Sequence, residues 1–424
     1  MNHARTSGFT AATLLLLAAP LQSQRADCAP DNGGINLPQG FCASIFADSL
    51  PAPRHLRVMA NGDVYVSLMG RGGRGVAPNG GVIMLRDGNR DGRADSQHDV
   101  ARGFASSEVA VFDNHVYAEN GGAVFRFPIK AGEATPTGPA DTIVSGLPNV
   151  MSHRTKTFAI TPDGGLYVNI GSATNVCAGR GADQKRPPDP CPELETRAGI
   201  WRFDARKSGQ KQSDGVRFVT GLRNAVGVTI GPDGRVWATQ HGRDALFQAW
   251  PELFDEKYGA ENPAEQLVRL DRGDDFGWPY CYYSNVERKL VDAPEYGGDG
   301  KKSARCASKK APVAVFPGHW APNDLAFYTG TAFPGKYQGG VFIAFHGSWN
   351  RAPEPQAGFR VVFQPIRNGT ASGAFETFAD GFSPNSGGTG PNRRPTGLAV
   401  GPDGALYIAD DATGRIWKVV YTGR

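Results

Sequence analysis

Three short polar segments lie directly before apolar, strand-like stretches of the sequence and carry side chains suited to catalysis. They are residues 152–154 (Ser-His-Arg), 222–224 (Leu-Arg-Asn) and 392–396 (Asn-Arg-Arg-Pro-Thr). An imidazole can take a proton from a hydroxyl group near neutral pH, and a guanidinium group can pair with an anion. If the fold brings these segments together, they would suit proton abstraction beside an anionic ligand.

The elements that must position these segments are hairpins repeated along the chain. Six segments share an apolar strand, a turn rich in Asp, Asn or Gly, and a second strand with an aromatic residue, which is a strong hairpin pattern. The aromatic residues are Tyr65, Tyr117, Tyr167, Trp237, Phe342 and Tyr407. Their spacing suggests a unit of roughly 50 residues with insertions, the size of a four-stranded propeller blade. The sequence therefore predicts an all-β, six-bladed β-propeller, with the polar segments converging at the mouth of its central channel.

Other segments complete this architecture. Further strands follow the hairpins, and residues 40–47 are expected to pair with the last blade and close the ring. Insertions at residues 177–196 and 254–310 are expected to form loops on one face. The sequence shows no linker, so residues 24–424 are expected to form one domain.

Charge and composition exclude some functions. The chain has 45 basic and 41 acidic residues, a net charge of +4, with no long basic run and no base-stacking motif. This composition does not support nucleic-acid binding. Apolar residues make up 40% of the chain, which is enough for a sizeable core, and its 56 glycines and 31 prolines suit a fold with many turns.

The N-terminus has the pattern of a secretion signal. Arg5 precedes an apolar run at residues 9–19, with small residues near Ser23, so residues 1–23 are expected to be a signal peptide. The run is too short to span a bilayer, and no later segment is apolar enough to do so. We therefore expect a periplasmic or secreted protein without a membrane span.

The cysteines support export. Their even number behind a signal suggests disulfides. They fall into three close pairs, which we predict to be bonded, although the sequence permits other connectivities: Cys28 with Cys42, Cys177 with Cys191, and Cys281 with Cys306.

Several motifs together resemble a known family. LRN, HGRD, FGWPYC, HGSWNR and RPTGLAVGPDG occur in the order found in the soluble glucose and sorbosone dehydrogenases that depend on pyrroloquinoline quinone (PQQ), particularly the sorbosone dehydrogenase-like branch. The resemblance covers residues 40–421. It implies a six-bladed propeller that uses PQQ and calcium. It also implies an exported quinoprotein oxidoreductase that oxidises a sugar or sugar-derived aldehyde (aldose, pyranose or sorbosone-like) by hydride transfer to PQQ with a general base.

The resemblance also implies roles for individual residues. His153 matches the general base, and Arg223 and Asn224 match residues that contact the quinone, with Arg223 stabilising the charge that develops on its oxygen. Arg394 matches a residue that pairs with a PQQ carboxylate. The calcium positions are Gly242 and Arg243, through their carbonyl oxygens, and the adjoining Asp244.

The chain departs from the glucose enzymes at three places. Ser152 replaces an Asp directly before the catalytic His, and Thr396, which we keep as a candidate cofactor-binding residue, replaces a second Arg. Residues 346–351 (HGSWNR) replace a segment with a Lys, so His346 and Arg351 are candidates to supply that charge to the cofactor. These departures bear on glucose specificity more than on the cofactor.

Two further motifs resemble known binding loops. Residues 87–95 have the acidic spacing of a calcium loop, but His98 stands at the twelfth position in place of Glu, so a solvated turn is favoured over a second calcium site. The glycine-rich residues 70–75 resemble a dinucleotide loop, but the sequence that follows cannot begin the required helix.

Two other functions remain as alternatives. One is a non-catalytic ligand-binding propeller, and the other is a metal-dependent lactonase, disfavoured because no Asp or Glu stands at the blade starts that carry His153, Arg223 and Arg394. The chain has no CxxCH haem motif, so an oxidoreductase of this sequence would pass electrons from a small-molecule sugar to a diffusible or protein acceptor.

Overall fold

A computed structural model describes residues 1, 28–71, 77–130, 132–149, 152–179, 183–384 and 392–423. The predicted signal peptide, apart from Met1, lies outside the described residues, as does most of the glycine-rich segment at 70–75. Strands and helices are numbered below in chain order.

The described residues form six blades of a β-propeller, each with four antiparallel strands, and a fifth short strand extends the sheet of one blade; this confirms the predicted fold class. Blades 1 and 2 contain β2 (Pro53–Val58), β3 (Val64–Leu68), β4 (Gly81–Arg86), β5 (Ser96–Arg102), then β6 (Val109–Phe112), β7 (His115–Glu119), β8 (Val124–Pro128) and β9 (Asp141–Ser145). Blades 3 and 4 contain β10 (Phe158–Ile160), β11 (Gly165–Ile170), β12 (Gly199–Asp204), β14 (Val216–Thr220), then β15 (Val228–Ile230), β16 (Val236–Gln240), β17 (Glu265–Leu270) and β20 (Ala314–Phe316). Blades 5 and 6 contain β21 (Pro322–Phe327), β22 (Val341–Phe345), β23 (Arg360–Gln364), β26 (Glu376–Ala379), then β27 (Pro395–Val400), β28 (Leu406–Asp410), β29 (Arg415–Tyr421) and β1 (Phe41–Ala47).

The blades form a closed ring. The first strand of each blade contacts the first strand of the next, and β27 of blade 6 returns to β2 of blade 1. Among the described residues, a buried apolar cluster lies between each pair of neighbouring blades. Each blade thus buries both faces, which is why its strands have long apolar runs.

The predicted hairpins are the first two strands of the blades. The six aromatic residues named above all lie in second strands. In the three Pro-Asp-Gly turns the glycines, Gly164, Gly234 and Gly404, have φ between +73° and +90°, a conformation that glycine adopts without steric cost. Local turn chemistry therefore fixes the hairpins.

The N-terminal strand closes the ring as predicted. β1 pairs antiparallel with β29, from Phe41 opposite Tyr421 to Ala47 opposite Ile416. The ring of Phe41 also packs edge-on against Phe333 and Phe378 of blade 5.

The interpretation of residues 254–310 as a loop was wrong. The segment supplies β17, the third strand of blade 4, and a hairpin of β18 (Cys281–Ser284) and β19 (Lys289–Asp292). Its other elements are α2 (Glu256–Glu261) and a 3-10 turn (Pro294–Tyr296), with α1 (Leu246–Ala249) just before it. β17 begins with two polar residues and follows two helices, so it lacks the hairpin pattern that marks the other strands.

A few short elements lie outside the blades. β13 (Gln210–Lys211) extends blade 2 by pairing parallel with β9. The others are a hairpin of β24 (Ile366–Arg367) and β25 (Thr370–Ala371), and 3-10 turns at Pro192–Glu195, Gln212–Asp214 and Gly335–Tyr337.

All three predicted disulfides are confirmed. Two of them, Cys177 with Cys191 and Cys281 with Cys306, share one buried cluster with Trp278, which ties the insertions of blades 3 and 4 together. Across the described ranges, no helix has the length and apolar character needed to cross a membrane.

Candidate active site

The predicted residues meet at one end of the ring. Arg223 and Asn224 precede β15, Arg394 precedes β27, and His153 lies five residues before β10. These positions lead into the first strands of blades 4, 6 and 3. In each hairpin the second strand runs antiparallel to the first. The residues after the second strand therefore lie at the same end of the ring as the residues before the first strand.

The imidazole of His153 has a defined tautomer. Its Nδ1 lies 3.0 Å from both the carbonyl oxygen and the Oγ of Ser172. The carbonyl can only accept a hydrogen bond, and the Ser172 hydroxyl donates to Thr174 O at 2.6 Å. Nδ1 therefore carries the hydrogen, which leaves the lone pair of His153 on Nε2.

The surroundings keep His153 neutral. Burial, followed by the positive charge of Arg223, lowers the pKa of His153 to about 3. The residue has a φ of +47°, and a Cβ at position 171 would lie 2.6 Å from the His153 Cβ. A side chain at position 171 would therefore collide with His153, and Gly171 avoids this collision.

Arg223 forms a partly buried ion pair with Asp244. Its guanidinium donates to Asp244 Oδ2 at 2.7 Å and to the carbonyl oxygen of Gly242 at 2.9 Å. Only 6% of the Arg223 side chain is exposed, against 32% of the Asp244 side chain. Burial raises the pKa of Asp244, but the charges of Arg223 and His319 lower it by more. Asp244 therefore remains a carboxylate and faces the open part of the site.

Other residues hold Asp244 in this position. The amide of Asn350, from blade 5, donates to Asp244 Oδ1 at 2.7 Å, and Asn175 exchanges hydrogen bonds with the Asp244 backbone at 2.8 and 2.9 Å. The side chain of Arg243 points elsewhere, into a buried ion pair with Glu295 at 2.5 Å. The side chain of Arg243 is therefore structural, and its carbonyl oxygen is the group relevant to the predicted metal.

Arg223 and Asp244 form one charged group. A second charged group joins blades 5, 6 and 1 and consists of Arg54, His346, Arg394 and Asp411. His346 Nε2 lies 2.8 Å from Asp411 Oδ1, and Arg54 donates to Asp411 Oδ2 at 2.5 Å. Arg394 donates to the carbonyl oxygens of His346 and Gly347 at 3.0 and 2.5 Å. Despite burial, the charges of His346 and Arg54 hold the pKa of Asp411 well below its usual range.

His241 is a further histidine at the end of a second strand, directly after β16. Its Nε2 is 3.1 Å from the carbonyl oxygen of Pro322. Burial lowers the pKa of His241 to about 4, and charges from both groups, Arg223 and His346, act in the same direction. Asp244 acts in the opposite direction, so the charges that influence His241 come from both groups.

Two predicted cofactor residues contact the protein framework. Arg351 donates to the carbonyl oxygens of Ala260, Gly318 and Pro355 and to Glu261. The Oγ1 of Thr396, which is fully buried, accepts a hydrogen bond from Asn323 at 3.3 Å. A cofactor role for either residue remains a prediction.

The sequence reasoning missed several residues of the site, and their positions show why. Motifs after the second strands β16 and β22 led to residues 242–244 and to His346, but three other residues within two positions of the ends of second strands were not selected: Ser172 after β11, His241 after β16 and Asp411 after β28. Searching both edges of each hairpin would have found the others.

The unpaired polar atoms of the site fit PQQ. In the part of the chain that the structure describes, the buried Arg223 Nε, Asn224 Oδ1 and Arg54 Nε have no hydrogen-bond partner. PQQ carries carbonyl and carboxylate acceptors and a pyrrole N–H donor. A ligand of that kind would satisfy all three atoms, and Arg394 adds a further cation.

The predicted calcium ligands supply only part of a coordination shell. Calcium prefers six to eight oxygen ligands, and the prediction names three residues. Gly242 O and Asp244 Oδ2 also accept hydrogen bonds from Arg223, so a cation bound to them would lie close to the positive guanidinium. Within the described ranges, no group of three or more His, Cys, Asp or Glu residues could hold a metal, and this includes residues 87–95, where carboxylates of Asp87, Asp91 and Asp95 accept backbone N–H groups.

The fold is a six-bladed β-propeller with a polar site at one end, and comparison with known proteins shows the family to which the chain belongs. The TrAA12-like family model matches residues 35–422, and the chain belongs to that family. This confirms the resemblance to the PQQ-dependent sugar dehydrogenases.

Individual relatives agree. The chain is 26% identical over 431 residues to the pyrroloquinoline quinone-dependent pyranose dehydrogenase of Coprinopsis cinerea, covering 91% of this chain and 54% of that protein. It is 29% identical over 259 residues to an uncharacterized protein of Borreliella burgdorferi, covering 60% and 57% of the two chains. The chain thus spans about half the length of the curated relatives it matches.

Solved structures share the fold. The holo form of the PQQ domain of the Coprinopsis cinerea pyranose dehydrogenase matches with a TM-score of 0.72 and 23% identity, covering 91% of this chain and 97% of that one. A Trichoderma reesei enzyme of carbohydrate-active family AA12 matches with a TM-score of 0.74 and 21% identity, covering 92% and 98%.

Proposed function

We propose that this protein is an exported quinoprotein dehydrogenase that oxidises a sugar or sugar-derived aldehyde, with PQQ as the hydride acceptor and His153 as the general base. The observation that carries the proposal is the state of His153: it is neutral, its Nδ1–H is bound to Ser172, and its Nε2 lone pair is free, within the field of Arg223. The curated PQQ-dependent pyranose dehydrogenase relative supports the cofactor and substrate class.

The chain offers a consistent set of ligands for the cofactor. Arg394 and Arg54 would pair with the carboxylates of PQQ; Arg54 is bound to Asp411, and Arg394 to the carbonyl oxygen of His346 in the same charged group. Arg223 and Asn224 supply the unpaired buried atoms for the quinone end. When bound, the quinone would supply a two-electron acceptor for a hydride.

Two residues of the chain then act in the reaction: His153 takes the substrate proton, and Arg223 stabilises negative charge. His153 Nε2 accepts the proton of the sugar hydroxyl, while Nδ1–H stays bound to Ser172 so that the ring keeps its orientation. Arg223 stabilises negative charge that develops beside it, since its guanidinium is already fixed by Gly242 and Asp244.

Calcium and the electron acceptor complete the proposal. Calcium at Gly242, Arg243 and Asp244 would lie close to the guanidinium of Arg223, and no step is assigned to the ion. Electrons would leave to a diffusible or protein acceptor. The three disulfides fit an oxidising compartment, in agreement with a periplasmic or secreted location.

Calorimetric titration of the cofactor-free protein with PQQ, with and without calcium, tests the cofactor. We expect saturable binding of one PQQ. Folded protein that binds no PQQ in the presence of calcium would contradict the proposal and favour the ligand-binding propeller. Lactone hydrolysis without PQQ would instead favour the lactonase.

Oxidation of aldoses with an artificial electron acceptor tests the base. Loss of a general base typically lowers the rate by about 10²–10⁴-fold, and we expect His153→Ala to lower kcat in that range. His115→Ala is the matched control, because His115 lies in β7 and contacts the backbone of Asp113. Full activity of His153→Ala would show that His153 is not the base.

A further inference from the structure

Trp349 exposes a large aromatic ring at the border of the site. Its relative exposure is 73%, whereas Trp237 and Trp417 are 1% and 0% exposed. Throughout the described residues, no ring or cation packs against Trp349. Since tryptophan side chains are largely buried on average, an indole held in solvent at a functional site suggests a surface that a ligand covers.

The loop that carries Trp349 is firmly anchored on both sides. Before it, Ser348 N donates to Ala357 O at 2.8 Å and Ser348 Oγ donates to Gln356 Oε1 at 2.8 Å. After it, Asn350 donates to Asp244 at 2.7 Å. The exposure of Trp349 is therefore not the result of a loose loop.

The same anchors place Trp349 between the two charged groups. Gly347 O accepts a hydrogen bond from Arg394, and Asn350 binds Asp244, the partner of Arg223. Consecutive Cα atoms are 3.8 Å apart, so Trp349 is two residues from one contact and one residue from the other. The backbone of Trp349 therefore lies between the two charged groups, and its indole is exposed to solvent there.

A cyclic sugar needs the kind of surface that Trp349 supplies. A pyranose ring has hydroxyl groups around its edge and C–H groups on its faces. The side chains that converge in the site are polar and can bind the hydroxyl groups: His153, Arg223, Asn224, His241, Asp244, His346 and Arg394. Trp349 adds an aromatic face for the C–H groups.

We propose that Trp349 is the stacking platform for the ring of a cyclic sugar substrate and that it gives the enzyme a preference for ring sugars over acyclic aldehydes. This inference rests on the proposed function and specifies its substrate class. It assigns Trp349 to substrate binding and not to the transfer of the hydride.

The test compares ring and open-chain substrates. D-glucose, D-galactose, D-xylose and cellobiose are assayed alongside glyceraldehyde, with the PQQ-loaded wild type, Trp349→Ala and Trp349→Phe. We expect Trp349→Ala to lower kcat/KM for the ring sugars about tenfold, mostly through KM, because one aromatic contact is lost. We expect glyceraldehyde oxidation to stay within about twofold, and Trp349→Phe to retain most of the ring-sugar activity, because it keeps an aromatic face.

A control variant and a fluorescence measurement accompany this test. Val286→Ala is the control, because Val286 is also strongly exposed (63%) but lies in the turn between β18 and β19. Ring sugars should also change the tryptophan fluorescence of the wild type, and Trp349→Phe should remove most of that change.

The outcomes separate the two proposals. If the wild type binds no PQQ, the proposed function fails. If the wild type oxidises ring sugars and Trp349→Ala leaves kcat/KM for all of them unchanged, or lowers it equally for glyceraldehyde, the stacking proposal alone is overturned. A variant that raises KM only for the electron acceptor would also overturn it, since Trp349 would then serve acceptor docking.

Discussion

Acidification is expected to leave His153 unprotonated in the cofactor-free protein far below the pH at which a free imidazole titrates. Burial, and then the charge of Arg223, lowers its pKa from 6.5 to about 3. The unfolded chain takes up a proton near pH 6.5, so each pH unit below that value costs the folded state about 1.4 kcal/mol through His153 until the pH approaches 3. His241, with a pKa of about 4, acts in the same direction.

Global stability is a poor measure of this effect. Burial raises the pKa of Glu265 from 4.5 to about 8, so Glu265 stabilises the fold as the pH falls from 8 to 4.5. Between pH 6.5 and 4.5 this gain offsets part of the cost from His153 and His241. A residue-specific measurement is therefore needed.

Imidazole ¹H–¹⁵N NMR of the cofactor-free protein between pH 4 and 8 provides it. We expect His153 to remain the neutral Nδ1–H tautomer down to pH 4.5. Arg223→Gln removes a like charge and should raise the pKa of His153 by about one unit or more. Arg202→Gln is the matched control, because the Arg202 side chain is 44% exposed and pairs with Asp163.

Two results would refute this reasoning. A wild-type His153 that titrates between pH 6 and 7 would show that burial does not control its charge. A pKa unchanged by Arg223→Gln would show that the field of Arg223 does not reach the ring.

Two further predictions concern buried charges. Arg223→Ala should lower the free energy of unfolding by about 3 kcal/mol, because it leaves the Asp244 carboxylate without its counterion; in an Asp244→Asn background the loss should be smaller, and additive losses in urea denaturation would contradict the pairing. In the central channel, Glu108 is fully buried and binds His55 at 2.9 Å and Arg57 at 3.1 Å. Burial lowers the pKa of His55, but Asp324 and Glu108 raise it by more, so its contribution to stability is present below pH 6.5 and is lost as the pH rises through the folded pKa. Glu108→Gln should reduce this loss between pH 6 and 9, and an unchanged pH profile of urea unfolding would refute it.

Most of the fold could be predicted because it is encoded locally. Each blade begins with a hairpin whose turn residues, strand pattern and aromatic position are adjacent in sequence. The close spacing of the cysteines likewise indicated the disulfides. β17 was missed because helices separate it from its partner β16. Its pairing therefore depends on tertiary contacts and is not marked by a local sequence pattern.

The site could be predicted only in part, for a related reason. Motifs indicated His153, Arg223, Asn224, Arg394 and Asp244, but not which of these residues pair with each other or with residues of other segments. The Arg223–Asp244 pair joins residues 21 positions apart, and Asn350 reaches Asp244 from another blade. Such contacts depend on how neighbouring blades pack, which residue spacing does not specify.

The pairing of His153 with Ser172 bears on how the base is controlled. A carboxylate beside Nδ1 would stabilise the imidazolium wherever the ring was protonated. Burial first, and then the like charge of Arg223, disfavours the protonated ring in the protein alone, and Ser172 offers only neutral acceptors to stabilise it. An anionic ligand bound between Arg223 and Arg394 would add negative charge nearby and so raise the pKa of His153. In the proposed mechanism, filling the site with such a ligand would therefore increase the proton affinity of the proposed base.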